Sequence, residues 1–418
     1  MRKYIIEDHR LISPFNERAR DLRIMNKRLW LAQRDVLAPY TRDEHIIQSL
    51  NEIPDEPAET IVYRDNLYFD QPFIDEFIRR ARDLKQACRV AFAPDDKALT
   101  AHALQLQSGI RRVGEVYLAD LWYFPDGRRD DARPLVIDTE AREIGYYNIP
   151  KYMAPNQGDL TFWVPQRAFL SIEHWTHVHV ANSPFGVFAE GARVEKKIER
   201  LGFKLKVMWR GLLERRHVLS SSALIKKGRN VHIDPSAVIL GPVTLGDNVV
   251  IQPGAVIDNC NIGNNVTVSH GCVLMLSVVG DGCFLPWRSS LFMTTLMENS
   301  MVAQNTCLQM CVVGRDTFIG AGNTFTDFNL ISRPIRVIHD GKLEPVGMPV
   351  VGGCVGHNCR IGSGFVIFPG RTIESDVMLA GDRSERVIRK SVTYEESDHH
   401  KIPGASELFP AKYRPGSE

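Results

Sequence analysis

From Leu245 onward, apolar positions recur at steps of six, six and five, and the chain writes itself in rows of 17: LGDNVVIQPGAVIDNCN, IGNNVTVSHGCVLMLSV, VGDGCFLPWRSSLFMTT, LMENSMVAQNTCLQMCV, VGRDTFIGAGNTFTDFN. Three columns emerge: Leu245, Ile262, Val279, Leu296, Val313; then Ile251, Val268, Leu285, Val302, Ile319; then Ile257, Leu274, Leu291, Leu308, Phe325. All fifteen positions are apolar, which background composition would produce with a chance on the order of 10⁻⁵, so the register is set by this pattern. Four residues after most of these stands a small or β-branched side chain (Val249, Ala255, Cys272, Cys283, Ser289, Thr306, Thr317). One large and one small inward residue per strip is what a triangular coil needs, because three faces converge on a narrow axis. Strips this short, with no 3.6-residue face, predict a parallel β-helix of stacked coils about 4.8 Å apart. Gly246, Gly263, Gly280 and Gly314 follow the large residue, where backbone without Cβ is cheap. The rows break at Asn329. A 21-residue excursion, 330–350, holds three prolines before the rows resume as VGHNCR, IGSGFV, IFPGRT, IESDVM. Such a loop is either functional or a packing element against a neighbouring subunit.

Upstream the pattern changes. The first glycine is Gly109, whereas residues 230–382 hold 19 of the 31 glycines. That shift places a domain boundary before the repeat. YIIEDH and ETIVYR predict short buried strands, and PFIDEFIRRARDLKQ predicts an amphipathic helix, so residues 1–190 form an α/β domain. Residues 191–229 form a basic connector of helical character; Arg193–Arg229 holds 12 Lys/Arg against three acids. Within it, LGFKLKVMWRGLLERRHVL mixes bulky apolar residues with Lys and Arg as an interfacial helix would, a plain connector being the simpler expectation. The β-helix spans 230–382, and 383–418 reads as a poorly packed polar tail.

Charge and cysteine content narrow the function classes. Lys+Arg is 51 against Asp+Glu 50, so no global field recruits nucleic acid. The start, MRKYIIEDHR, has no signal-peptide pattern, and no apolar run approaches the roughly 18 residues of a membrane span. Seven of the eight cysteines lie in the repeat without any CxxC pair, predicting reduced core thiols in a cytoplasmic protein.

The run NSMVAQNTCLQMCVVGRDTFIGAGNTFTDFN, the head residues Leu11, Pro14, Arg18, Leu22, Arg23 and Trp30, IVYRDNLYF around Asp65, and Trp175 with Asn182 together resemble the bifunctional N-acetylglucosamine-1-phosphate uridyltransferase / glucosamine-1-phosphate N-acetyltransferase family, in a divergent branch. The resemblance implies a doubly wound nucleotidyltransferase-like head, a left-handed β-helix, and a homotrimer with acyltransferase sites between subunits. It also implies Mg²⁺ and acyl-CoA as participants, and a sugar phosphate or nucleotide sugar as substrate. A three-faced prism by itself favours closed threefold assembly.

Arg18, Arg20 and Arg23 offer forks for phosphate oxygens, the alternative being an arginine-rich turn paired with Glu17 and Asp21. Asp65 matches the family's metal-binding aspartate; the alternative is turn chemistry at a strand end. Acyl transfer needs a general base. Where the family has one, this chain has Gln304, which takes no proton near neutral pH. His270, two coils earlier in the same corner column and roughly 10 Å away, and His357, at an equivalent corner, are the substitutes. A corner histidine bonded to backbone is the plainer expectation for each. The triplet His174, His177 and His179 predicts a surface aromatic/His patch, with a metal site as the alternative. Two function classes follow: a sugar-phosphate or nucleotide-sugar transferase of the nucleotidyltransferase/acyltransferase type with one or both activities altered, or an inactive trimeric binding or scaffold relative.

Overall fold

The computed structural model describes residues 1–152, 159–214, 218–330, 333–380 and 385–403. The head is built on a mixed sheet of β1 (Arg2–Ile6), β2 (Asp43–Ile47), β3 (Thr60–Arg64), β4 (Cys88–Phe92), β5 (Val116–Phe124) and β6 (Arg133–Val136). Its order is β6-β4-β5-β3-β1-β2, with β5 antiparallel to both neighbours and the other pairs parallel. Apolar residues alternate across it. Ile5, Ile61, Tyr63 and Phe92 face helices α1 (Leu29–Leu37), α2 (Gln71–Leu84) and α3 (Trp175–Asn182). Tyr4, Ile6, Val62 and Trp122 face the opposite way, into a small cluster closed by Ile47 and Ile53. The expected double winding is therefore corrected: the three helices pack on one face, and among the described residues the other is covered by loops and one short 3-10 turn, Leu50–Glu52.

α2 shows how local chemistry sets an element. The Asp70 carboxylate accepts the Phe73 N–H at 3.0 Å, and Lys85 turns left-handed at the far end. Phe73, Ile74, Phe77, Ile78 and Ala81 form its buried stripe. Phe77 is fully buried, and truncation to Ala would cost about 3–5 kcal/mol.

The C-terminal region is a left-handed parallel β-helix of three eight-stranded sheets, one per face. The first strand is Ile225–Lys227, so coiling begins just before residue 230. All fifteen large column residues are at most 2% exposed, and the small partners are equally buried. Thr306 and Thr317 donate their hydroxyls to the carbonyls of Gly320 and Gly356 in the next coil, at 2.8 and 3.0 Å. The glycines after the large residues serve close approach, not unusual φ. A Cβ on Gly246 would stand 2.6 Å from the carbonyl carbon of Gly263 in the next coil. Positive φ falls instead on corner asparagines such as Asn248 and Asn265, whose amides bond at 2.9 Å.

Two segments outside the regular rows pack against the rest of the chain. The excursion forms a hairpin, Arg336–His339 with Lys342–Pro345, closed by Asp340-Gly341 at positive φ. It packs on the chain's own head, where Ile335, Val337, Val346 and Met348 join the head core. Within the tail, the described residues 385–399 lie against the last coils. Val387–Ile388 pairs with Val366–Ile367, and Asp398 accepts the Ala380 N–H at 2.9 Å, covering the open edge of the last coil. Residues 404–418 lie outside the described region. The connector holds helices α4 (Phe188–Ile198) and α5 (Leu201–Glu214).

The head rests on the first face of the prism. Met297, Val312 and Cys354 of the coils belong to the head's own hydrophobic cluster. At the corner between third and first faces, Leu276, Met293 and Met310 pack against Val187, Ala189 and Phe162.

Candidate functional site

The arginine loop after β1 divides its residues between two tasks. Arg20 turns to the C-terminal ends of β1 and β3, where its Nη1 lies 3.1 Å from both Glu7 and Asp65 carboxylates; Arg18 approaches Glu7 at 3.6 Å. Asp65 also accepts the Asp8 N–H at 2.8 Å. Burial raises its carboxyl to about 6, against the opposing pull of that N–H and of Arg20. Arg23 points away, toward the β-helix, with Nε 2.8 Å from Glu298 Oε1. The three arginines thus do not form one phosphate cradle. Mg²⁺ fits this corner poorly, because Asp65 is already committed to a guanidinium and a backbone N–H. Among the described residues no group of three or more His, Cys, Asp or Glu side chains is arranged to hold a metal ion.

Arg23 belongs to an ionic network along the junction. Arg315 reaches Glu298 at 3.4 Å and grips the Glu17 carboxylate with both terminal nitrogens. His357 Nε2 lies 3.2 Å from Glu17 Oε2, while its Nδ1 accepts the Arg315 N–H at 3.0 Å. The ring therefore donates from Nε2. Burial would push Glu17 up, but the bonds from His357 and Arg315 outweigh it and hold its carboxyl at about 2. Burial lowers the His357 pKa despite Glu17. The place of His357 as a substitute base is corrected here: it is fully buried and both ring nitrogens are engaged. The expected Glu17 and Asp21 partners for the arginine turn are likewise replaced, since Glu17 serves Arg315.

The histidine triplet is interior, not a surface patch. His174 caps α3 and its Nε2 bonds the Ile338 carbonyl of the excursion at 3.2 Å; His177 Nε2 donates to Gln105 O at 2.8 Å. Burial pushes the three to about 3, 4 and 3, which keeps them neutral. Asn182, a residue of the resemblance, holds the arginine loop by accepting the Met25 N–H at 2.7 Å and donating to Arg23 O at 3.2 Å.

A cavity of about 390 Å³ opens on the third face of the β-helix. Met275, Phe292 and Gln309 of successive coils floor it, Ile149 and Leu160 of the head wall one side, and Asp327, Phe328 and Val350 flank the excursion's root. Asp327 is the one carboxylate among its lining residues, and burial raises its pKa. Burial also raises the neighbouring Cys307 thiol, with the Asp327 charge adding to it, so no thiolate nucleophile is offered. His270 and Gln304 stand at the opposite edge of this face, on the corner ladder His270, Trp287, Gln304. His270 is exposed and Gln304 half-buried, and both lie outside the cavity lining. Sequence reasoning did not single out Gln309, Cys307 or the head residues Ile149 and Leu160. Asp327 carried a signal as the acidic residue two positions after Phe325, the last large column residue before the excursion.

Fold and cavity define the class: a hexapeptide-repeat prism carrying a fused α/β head. A sequence profile described as bacterial transferase hexapeptide (six repeats) matches residues 228–259. The chain is 28% identical over 159 residues to "Bifunctional protein GlmU" of Ruthia magnifica subsp. Calyptogena magnifica, covering 34% of this chain and 35% of that protein. It is 26% identical to the protein of the same name from Pseudoalteromonas atlantica, with the same coverage, and 26% to that of Geotalea uraniireducens, covering 37% of this chain and 36% of that protein. The chain thus spans about a third of the length of the curated relatives it matches. Among solved structures, the acetyltransferase domain of PglB from Neisseria gonorrhoeae FA1090 in complex with acetyl coenzyme A is similar at 17% identity, covering 39% of this chain and 57% of that one; its TM-score of 0.16 carries no weight.

Proposed function

We propose that this chain is a sugar-directed acyltransferase of the hexapeptide-repeat type, acting on a sugar phosphate or nucleotide sugar with acyl-CoA as donor, and that its chemistry sits in the third-face cavity and not at Gln304. The observation that supports this is Asp327, the one carboxylate lining an otherwise largely apolar cavity on the β-helix. When a sugar amine or hydroxyl attacks the thioester, the coenzyme A thiol leaves and the nucleophile's proton must be taken up. A carboxylate raised by burial is a better base for this than an ordinary one. The apolar floor would hold the acyl group and exclude water. In this reading His270, exposed at the open edge of the same face, would meet a donor arriving from a neighbouring subunit. A homotrimer is part of the reading, supported by Phe284, Phe318 and Trp287, all exposed on the second face or its corner.

A second activity in the head has its own support. Glu7, Arg18, Arg20 and Asp65 meet at the carboxyl ends of two adjacent parallel strands, where open α/β sheets bind ligands. A nucleotide phosphate there would compete with Asp65 for Arg20, and Mg²⁺ would require that pair to open. The test of the main reading is release of free thiol from acyl-CoA in the presence of amino-sugar phosphates and nucleotide sugars. Coenzyme A binding without turnover on any of them would favour the inactive scaffold.

A further inference from the structure

Helix α5 (Leu201–Glu214) is turned inside out relative to a helix that merely connects two domains. Only Val207 and Gly211 are buried, on the line that meets the turns preceding the first coil. Leu201, Leu205, Met208, Trp209, Leu212 and Leu213 are all exposed, Leu212 by 72% and Trp209 by 63%. At 100° per residue these six occupy an arc of about 140°, roughly opposite the buried line. Lys204 borders the arc on one side, and Lys206 and Arg210 on the other, all three exposed. The apolar surface continues past the helix in Val218 and Leu219, also exposed. The surrounding stretch, Arg193–Arg229, carries 12 Lys/Arg and three acids, in a chain whose overall net charge is only +1. One of the acids, Glu214, is taken up by the Ser222 N–H at 2.9 Å.

We propose that α5 lies flat in the headgroup layer of a membrane bearing anionic lipids, with the leucines and Trp209 in the acyl boundary and the bordering cations on lipid phosphates. The placement of charge decides among occupants. Cations on both borders of an apolar arc suit side chains that reach from the interface to headgroups. A second copy of the same face would bring those cations against their own kind. Crossing the bilayer is excluded by length: among the described residues no helix is long and apolar enough to span it.

The test uses the full chain. In flotation assays it is expected to rise with vesicles of phosphatidylcholine and phosphatidylglycerol, and not with phosphatidylcholine alone. Lys204→Glu with Lys206→Glu is expected to weaken this by about thirtyfold or more, since each surface cation contributes about 1 kcal/mol. Leu205→Gln with Leu212→Gln is expected to abolish the blue shift in Trp209 emission, obtained as the difference between this protein and Trp209→Phe. These substitutions are on the surface, so circular dichroism and unfolding midpoint report whether the fold is kept. Failure of the wild type to float with anionic vesicles, or equal flotation by the charge-reversed variant, overturns the proposal. It is overturned as well if Leu205→Gln with Leu212→Gln lowers the particle mass in the absence of lipid, which makes the stripe a contact between copies.

Discussion

Arg23 of the head and Glu298 of the β-helix stand 2.8 Å apart across the junction of the two, both largely shielded from water. The pair continues through Arg315 and Glu17 to His357, so a loop with the composition of a phosphate binder acts at this point as a docking strap. Arg23→Ala leaves Glu298 facing Arg315 alone. We expect a loss of about 2 kcal/mol in urea unfolding, between the ranges for exposed and fully buried pairs. A double-mutant cycle with Glu298→Ala should show a coupling above 1 kcal/mol. Nucleotide affinity, measured calorimetrically with uridine and thymidine triphosphates and Mg²⁺, should be unchanged by Arg23→Ala and reduced by Arg20→Ala.

The same network makes the junction acid-sensitive. Glu17 titrates at about 2 in the folded chain against 4.5 in the unfolded one, so its contribution is present above pH 4.5 and lost as pH falls toward 2. Its full value is about 3 kcal/mol. His357 acts in the same sense, because its lowered pKa means the unfolded chain takes up a proton near pH 6.5 that the folded chain refuses. Unfolding midpoints should therefore fall as pH drops from neutrality. Glu17→Gln should flatten the part below pH 4.5; an unchanged acid slope would count against the network.

Asp65 has the opposite sign. Its folded-state value of about 6 lies above the ordinary 3.8, so its burden on stability is absent at low pH and grows as pH rises through that interval. Asp65→Asn keeps an acceptor for the Asp8 N–H and removes the charge. It should leave stability at neutral pH unchanged or raise it, by up to about 3 kcal/mol. If the head binds nucleotide, the same variant should bind it measurably differently. A stabilised protein with altered nucleotide affinity would mark Asp65 as a residue kept for function.

Asp327→Asn preserves the shape of the cavity and removes its base. We expect kcat for acyl transfer to fall about 10²–10⁴-fold with little change in KM, read from coenzyme A release. Cys307→Ser and His357→Ala should spare the chemical step, the latter at a cost in stability. With acetyl-CoA and glucosamine-1-phosphate, any turnover should be unaffected by Gln304→Ala, because an amide takes up no proton near neutral pH. Robust turnover that dies with Gln304→Ala would sink this assignment.

Light scattering at micromolar concentration should give three times the chain mass. Phe284→Glu with Phe318→Glu places carboxylates on the exposed second face and should shift the mass toward the monomer, while circular dichroism keeps its β signature. A wild-type monomer would remove the basis for a site shared between subunits.

The β-helix was legible because its rule is local and repeated. Every coil needs large and small inward residues at set steps, and Leu245 through Phe325 state that need row after row, whatever lies outside the prism. Helix α2 was equally legible, since one apolar stripe suffices. What surrounds the prism is decided by non-local contacts. The arginine loop could hold phosphate or carboxylate with the same forks, and only the fold puts Glu298 and Glu17 within reach. The excursion's Asp340-Gly341 pair signals a hairpin, but nothing near it says that Val337 will enter the head core. His174, His177 and His179 look polar in sequence and are buried because α3 is sealed between the sheet and that hairpin. Asp327 gains its raised pKa from a cavity whose walls, Ile149 and Leu160 on one side and Val350 on the other, come from two distant parts of the chain. Periodicity determines an element that packs on its own repeats; sites made by separate elements depend on the desolvation and charge pairing that only tertiary contact supplies.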